Sequence, residues 1–89
     1  MDITALLTAL KVDLGYSTDA YDARLTEYLK SAVQLITKEG ITLDMQSYDD
    51  STIVVMYAAW LWRRRDSMDG MPRMLRYLMN NRLLSEKVK

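Results

Sequence analysis

The sequence predicts an all-α fold, a small bundle of about four helices, and three observations support this prediction. The chain has only three glycines and one proline in 89 residues. β-branched residues are not concentrated in alternating runs, as they would be in strands. Apolar residues instead recur at helical spacing in four segments, which we place at approximately residues 2–11, 19–39, 50–66 and 72–84. A chain of this length makes one domain, residues 1–89.

The composition removes several classes of function. The chain has no cysteine and no histidine, which excludes disulfides, thiol chemistry, the usual zinc sites and the commonest general base. Asp44, Asp49 and Asp50 lack the spacing of a calcium loop, so we interpret them as helix-capping residues. We therefore expect no enzyme, no metal and no cofactor. Without a long apolar run or a basic start, we also expect a cytosolic protein with no membrane contact.

The first helix, residues 2–11, has Asp2 as its expected N-cap. Its apolar positions form one stripe at i, i+3, i+4 and i+7, namely Ile3, Leu6, Leu7 and Leu10. We expect Val12 and Leu14 to follow as apolar anchors. The run Gly15–Asp19 then interrupts the pattern, as a loop does.

The second helix, residues 19–39, is the clearest amphipathic segment. Ser17 or Thr18 is its expected N-cap, and Gly40 is the expected left-handed residue after its end. One broad apolar face contains Tyr21, Leu25, Tyr28, Leu29, Ala32, Val33, Leu35 and Ile36. The connector that follows is apolar at Ile41, Leu43 and Met45, so we expect it to lie on the core.

The third helix, residues 50–66 with Ser47 or Asp49 as its cap, is apolar all round. Its first side carries Ile53, Val54, Tyr57, Ala58 and Leu61, and the opposite side carries Val55, Ala59 and Trp62. Either the helix is buried centrally, or one side faces the core and the other contacts another subunit. We favour the subunit contact, because Trp and Arg are enriched at interface hot spots.

Three arginines, Arg63, Arg64 and Arg65, end this helix. They suit a helix C-terminus, where cations are favourable and arginine stems cover apolar surface. Alternatively, they pair with acidic groups of a neighbouring subunit, or they contact phosphate.

The fourth helix, residues 72–84, has Pro72 at its first position. Its predicted apolar face contains Met71, Met74, Leu75, Leu78, Met79 and Leu83, with Arg82 near that face. Arg73 and Arg76 point away from it. The methionines suit either a core or adaptable packing that forms on assembly. We expect the tail Ser85–Lys89 to be frayed.

Charge is segregated along a chain whose net charge is zero. Residues 1–50 hold nine acids and four bases, whereas residues 51–89 hold three acids and eight bases. This pattern has three interpretations. It is incidental, or it marks a polar subunit whose acidic part contacts the basic part of a neighbour, or it marks a basic surface near nucleic acid.

Four segments follow one another along the chain, namely LGYSTDAYDARL at 14–25, KEGITL at 38–43, MYAAWLWRRRD at 56–66 and GMPRMLRYLMNNRL at 70–83. In this order they resemble the small head–tail connector (adaptor) proteins of tailed bacteriophages and of prophages in Gram-positive bacteria. The resemblance covers nearly the whole chain and contains no catalytic signature.

The resemblance implies a structural role at the virion head–tail junction, after assembly in the cytoplasm of the bacterial host. Members of this family assemble as a ring of about a dozen subunits below the portal protein. The ring extends the DNA channel, passes double-stranded DNA without reading its sequence, and carries the next connector (stopper) or tail protein. The resemblance also implies that residues 70–83 are the part that reorders on assembly.

The residues themselves suggest which positions contact a neighbouring subunit or the portal. The candidates are Val55, Ala59, Trp62, Arg63, Arg64, Arg65, Met71, Arg73 and Arg76. An alternative function is a small helical DNA-binding regulator that reads phosphates through Arg63–Arg65, Arg73 and Arg76. The third helix is too apolar to serve as a recognition helix in a groove.

Overall fold

Four helices make up the fold. The computed structural model describes residues 3–44, 46–65 and 70–87. In these ranges the chain forms α1 (Ile3–Leu14), α2 (Asp22–Lys38), α3 (Tyr48–Arg64) and α4 (Arg73–Lys87), without a strand. The predicted all-α bundle of about four helices is confirmed. The expected roles of Asp2 and Met45 fall outside the described residues.

Helix α3 is the centre of the bundle. α1, α2 and α4 all pack against it, and α1 also packs against α2. The buried apolar residues therefore come from every helix and from the connector after α2. They are Leu6, Leu10, Leu25, Leu29, Ala32, Ile36, Ile41, Ile53, Val54, Tyr57, Ala58, Ala59, Trp62, Leu75 and Met79.

The second side of α3 is buried inside the chain, contrary to the interpretation that we favoured from the sequence. Ala59 is buried and only 4% of Trp62 is exposed, while Val55 is half-buried. The physical reason is that the segment between α1 and α2 covers this side with aromatic rings, Tyr16 and Tyr21 among them. Within one chain, Ala59 and Trp62 therefore belong to the core, as central burial predicts, and Val55 stays partly open.

Helix α2 largely follows its predicted amphipathic pattern. Leu25, Leu29, Ala32 and Ile36 are buried. They recur at spacings of three and four, so one stripe of the helix meets α3 and α1. Leu35, at one edge of the predicted face, is 37% exposed, and Tyr21, which precedes the first helical residue, is 43% exposed. The predicted face was therefore too broad.

Helix α1 continues three residues beyond its predicted end and stops at Gly15. Gly15 has φ +78°, and the amide of Tyr16 donates to the carbonyl of Lys11 at 2.9 Å. This is the hydrogen bond of a Schellman end, which glycine allows because it lacks a Cβ. Leu14 packs against the core as expected. Val12 does not, because the extended helix turns it outward, where 77% of it is exposed.

Helix α2 starts three residues later than predicted, and the expected caps Ser17 and Thr18 are wrong. Its N-cap position is Tyr21, without a side-chain cap. Lys11 of α1 instead holds Asp19 at 2.8 Å and Asp22 at 3.0 Å, which fixes the turn before α2. The hydrogen bond between Lys11 and Asp19 raises the pKa of the lysine and lowers the pKa of that carboxyl.

The connector from α2 to α3 lies on the core, as the sequence indicates. Gly40 has φ +104°, as predicted for the residue after α2, and Ile41 is buried. Ser47 caps α3 by accepting a hydrogen bond from the amide of Asp50 at 3.4 Å. The predicted left-handed residue at Gly40 and the predicted cap at Ser47 are therefore confirmed.

A buried ion pair joins α4 to α3 and to the connector. Arg82 Nε donates to Asp50 Oδ1 at 2.8 Å, and Arg82 Nη2 donates to the Thr42 carbonyl at 2.6 Å. Asp50 Oδ2 also accepts the amide of Asp44 at 2.7 Å. Glu86 accepts from Arg82 Nη1 at 2.8 Å. The hydrogen bonds to Asp50 raise the pKa of the Arg82 guanidinium, against the opposing effect of burial.

Helix α4 differs from its prediction at both ends. It begins at Arg73, and the carbonyl of Pro72 accepts the amide of Arg76 at 3.1 Å, so the proline precedes the first helical position. It continues to Lys87 instead of stopping at 84. The predicted fraying of 85–87 is wrong because Glu86 is held by Arg82, and residues 88 and 89 lie outside the described residues.

Acidic and basic residues of the two halves form ion pairs within one chain, an arrangement that none of the interpretations from the sequence included. Three arginines of the second half each pair with an acid of the first half. The pairs are Arg63 with Asp13 at 3.6 Å, Arg76 with Glu39 at 3.1 Å and Arg82 with Asp50 at 2.8 Å. These ion pairs therefore help to hold the helices of one chain together.

We predict that Arg82→Met lowers the free energy of unfolding by about 3 kcal/mol, because it leaves the Asp50 carboxylate buried without its cation. Replacing both residues by leucine costs less than either single change, since no charge then remains buried. Arg76→Ala, which breaks a partly exposed pair, costs less than about 1 kcal/mol and serves as the matched control. Urea unfolding of the three variants and of the parent chain measures these differences. Equal losses for Arg82→Met and Arg76→Ala would contradict this account.

Candidate interaction surface

The arginine end of α3, Arg63 to Arg65, sends its three side chains in different directions. Arg63 Nη2 donates to the carbonyl of Asp13 at 3.2 Å. The Arg64 guanidinium lies over the ring of Trp60, 4.9 Å from its centroid, and that of Arg65 lies 3.8 Å from the centroid of Trp62. Arg64 and Arg65 therefore make cation–π contacts with tryptophans of their own chain. All three predicted arginines are exposed, but they do not form one basic face.

Trp62 is the centre of an aromatic cluster that sequence reasoning missed. Its Nε1 donates to the hydroxyl of Tyr16 at 3.0 Å. Tyr16, Tyr21 and Tyr28 surround it with ring centroids 6.2, 5.7 and 5.2 Å away. Edge-to-face pairs at these distances add stability beyond the area that they bury. The one signal in the sequence was Tyr21 and Tyr28, seven residues and therefore two helical turns apart.

The nine predicted contact residues do not form one surface. Ala59, Arg63 and Arg64 line a hollow of about 350 Å³ at the end of α3, next to Gly70 and Pro72. Trp60 closes this hollow by donating to the Gly70 carbonyl at 3.1 Å.

The other predicted residues lie elsewhere. Trp62 and Arg65 belong to the aromatic cluster, and Val55 lies in a separate groove beside α1. Arg76 is half-buried and paired with Glu39, Met71 is half-buried, and Arg73 is exposed.

An apolar surface on the outside of α4 was also missed. Met74, Tyr77 and Leu84 are 60%, 62% and 60% exposed, and we call them the α4 stripe. The sequence placed Met74 on one apolar face with Leu75 and Met79, which is wrong. The inner face of α4 is set by Leu75 and Met79, about 100° or more away from Met74 on the helix. The available signal was that α4, like α3, carries apolar residues on more than one side.

A second apolar surface is a groove between α1 and α3, about 270 Å³ in volume. Val12 and Tyr48 stand at its edges, and each is 77% exposed. We call it the α1–α3 groove, lined by Ala9, Val12, Asp13, Tyr48, Ser51, Thr52, Val55 and Met56. The buried hydroxyl of Ser51 has no hydrogen-bond partner among the described residues. Exposed apolar residues that gather in one groove mark a contact site rather than scattered surface.

The described residues offer no grouped metal ligands. In residues 3–44, 46–65 and 70–87, no three acidic side chains lie close enough to hold a metal ion. Asp50 faces Arg82, and Asp49 is exposed beside Tyr48. None of the helices in these ranges is long and apolar enough to cross a membrane.

Comparisons with known proteins add no relative. No protein-family model, no curated protein and no solved structure matches the chain. The resemblance to connector proteins therefore rests on the four sequence segments given above, and any function built on it is a proposal.

The two tryptophans provide a test of where α3 is buried. We predict that Trp62→Ala lowers the free energy of unfolding by about 3–5 kcal/mol, because it removes the centre of a buried cluster. Trp60→Ala costs distinctly less, since Trp60 is only half-buried. Urea unfolding of dilute protein measures both. If Trp62→Ala instead left the stability unchanged and only prevented self-association, Trp62 would be an interface residue.

Proposed function

We propose that the chain is a head–tail connector, a structural virion protein that assembles as a ring below the portal. In this role it extends the DNA channel and joins the DNA-filled head to the tail. The four segments of the resemblance span α1 to α4, and they contact one another in the fold. Tyr16 of the first segment bonds Trp62 of the third, and Thr42 of the second bonds Arg82 of the fourth. The resemblance therefore concerns one packed unit.

The observation that carries the proposal is the apolar outer face of α4. Within the described part of the chain, α4 packs against α3 alone among the helices, and the α4 stripe points away from it. A small domain whose core is already filled gains nothing in stability from such a stripe in isolation. A subunit of an assembly uses it as a contact surface.

A ring also requires two different surfaces on each subunit, because its contacts run head to tail. The α4 stripe and the α1–α3 groove are two such surfaces, one convex and one concave. A symmetric dimer would need only one surface that complements itself. Two unlike surfaces on one small chain therefore support a ring more than a dimer.

The distribution of charge is compatible with a channel through which DNA must move. Strong phosphate contacts would retard passage. Net charge is zero, and most of the predicted basic residues contact groups of their own chain. No structural observation favours the DNA-binding regulator. Its test is binding to double-stranded DNA at about 50 mM salt, where a phosphate reader binds most strongly.

Electron microscopy of the full chain tests the connector proposal. We expect rings at high protein concentration or after mixing with the portal protein of the same phage or prophage. Sedimentation of the same samples measures the assembled fraction, and co-purification with the portal provides a second readout. A Lys30→Ala variant, changed on the exposed side of α2, forms the same assemblies as the parent chain. A chain that stays monomeric at high concentration and never binds portal would overturn the proposal.

A further inference from the structure

We propose that the α4 stripe of one copy docks in the α1–α3 groove of the next copy. The inference deepens the proposed function, since it identifies the surfaces through which a ring would form. The contact rests on the proposed function, and cross-linking between the two surfaces distinguishes it from ring formation.

The stripe and the groove match in length. Tyr77 and Leu84 are seven residues apart, which is two helical turns or about 10.5 Å along α4. Tyr48 and Val55, which line the groove, are also seven residues apart on α3. If α4 of one copy lies along the groove of another, Tyr77 and Leu84 can therefore contact two successive turns of α3. Laying an apolar helix face into an apolar groove is a common mode of recognition.

The charges left unpaired by folding are complementary. Arg73 lies on the same outward side of α4 as Tyr77, four residues before it. Asp49 lies in the first turn of α3 and lines the hollow between α3 and α4, which borders the groove at Tyr48 and Thr52. Both are exposed, and neither makes an ion pair within residues 3–44, 46–65 and 70–87. Opposite charges at the rim favour the correct partner and register.

The stripe cannot reach the groove of its own chain. Leu75 and Met79 bury the opposite side of α4 against the bundle, and the pair of Arg82 with Asp50 fixes α4 on α3. The stripe therefore faces outward on one part of the surface while the groove lies between α1 and α3. The contact must form between copies, and its repetition gives a ring when the rotation closes.

A second copy in which stripe meets stripe fits less well. On the outward side of α4, Arg73 would find no carboxylate of a neighbouring α4. The one acid of that helix, Glu86, already accepts hydrogen bonds from Arg82 and from the amide of Thr42. Next to the groove, α3 presents the exposed carboxylate of Asp49, so the heterologous contact is the one that the charges support.

Disulfide cross-linking tests the contact directly, because the chain has no cysteine of its own. Tyr77→Cys and Val12→Cys are prepared separately, mixed at high concentration and oxidised, and mass spectrometry measures each disulfide-linked dimer. Lys30→Cys, on the exposed side of α2, replaces either one as the control. We expect the 77–12 dimer at about tenfold the yield of every pair with position 30, since docking raises the local concentration of the two thiols.

A charge reversal makes the test specific. Arg73→Glu in the Tyr77→Cys chain should return the 77–12 yield to the control level. Asp49→Arg in the Val12→Cys chain should restore it, because the two charges are then exchanged. All four positions are exposed, so the variants remain folded, and thermal unfolding verifies this.

Each remaining outcome decides a separate point. An excess of the 77–77 dimer would overturn the docking in favour of a symmetric contact. A 77–12 yield equal to the control would overturn it as well. Rings in electron microscopy without 77–12 linkage leave the connector function standing and remove only this contact. Linkage without rings or portal binding supports the contact and counts against the connector function.

Discussion

The burial of α3 on nearly all sides is the constraint on which the rest of the structure depends. A helix without a polar face needs neighbours around it. Helices α1, α2 and α4 are three such neighbours, and the turn before α2 adds the rings of Tyr16 and Tyr21 against Trp62. Because these elements complete the core, the chain does not need a partner to bury α3. The large apolar residues that are at least 60% exposed lie on the outside of α4 and beside the α1–α3 groove.

Among the described helices, α4 packs against α3 alone, so another interaction must hold it in place. The ion pair between Asp50 and Arg82 does this, because the same guanidinium also donates a hydrogen bond to the connector at Thr42. A buried pair of this kind contributes specificity of position more than net stability. It fixes which side of α4 faces outward. The orientation of the α4 stripe, and with it the proposed contact, follows from this pair.

Periodicity predicted the number of helices and the buried stripe of α2, and residue type predicted the turn at Gly40 and the cap at Ser47. Periodicity could not orient α3, because a helix that is apolar all round contains no information about which neighbour covers which side. It also misplaced Met74 and Val12. The inner face of α4 depends on the distant partner of Arg82, and the direction of Val12 depends on how far α1 continues. The groove and the stripe depend on these same long-range choices, so the sequence could not show them.

The central claim is that folding and assembly use different surfaces, with the buried sides of α3 serving folding and the α4 stripe and the α1–α3 groove serving assembly. A chain that carries both Tyr77→Ser and Leu84→Ser measures this most directly. Urea unfolding at low concentration should give a free energy within about 0.5 kcal/mol of the parent chain, as expected for exposed positions. Sedimentation at high concentration, or with portal, should show that the double variant no longer assembles. A loss of several kcal/mol, or undiminished assembly, would contradict the account.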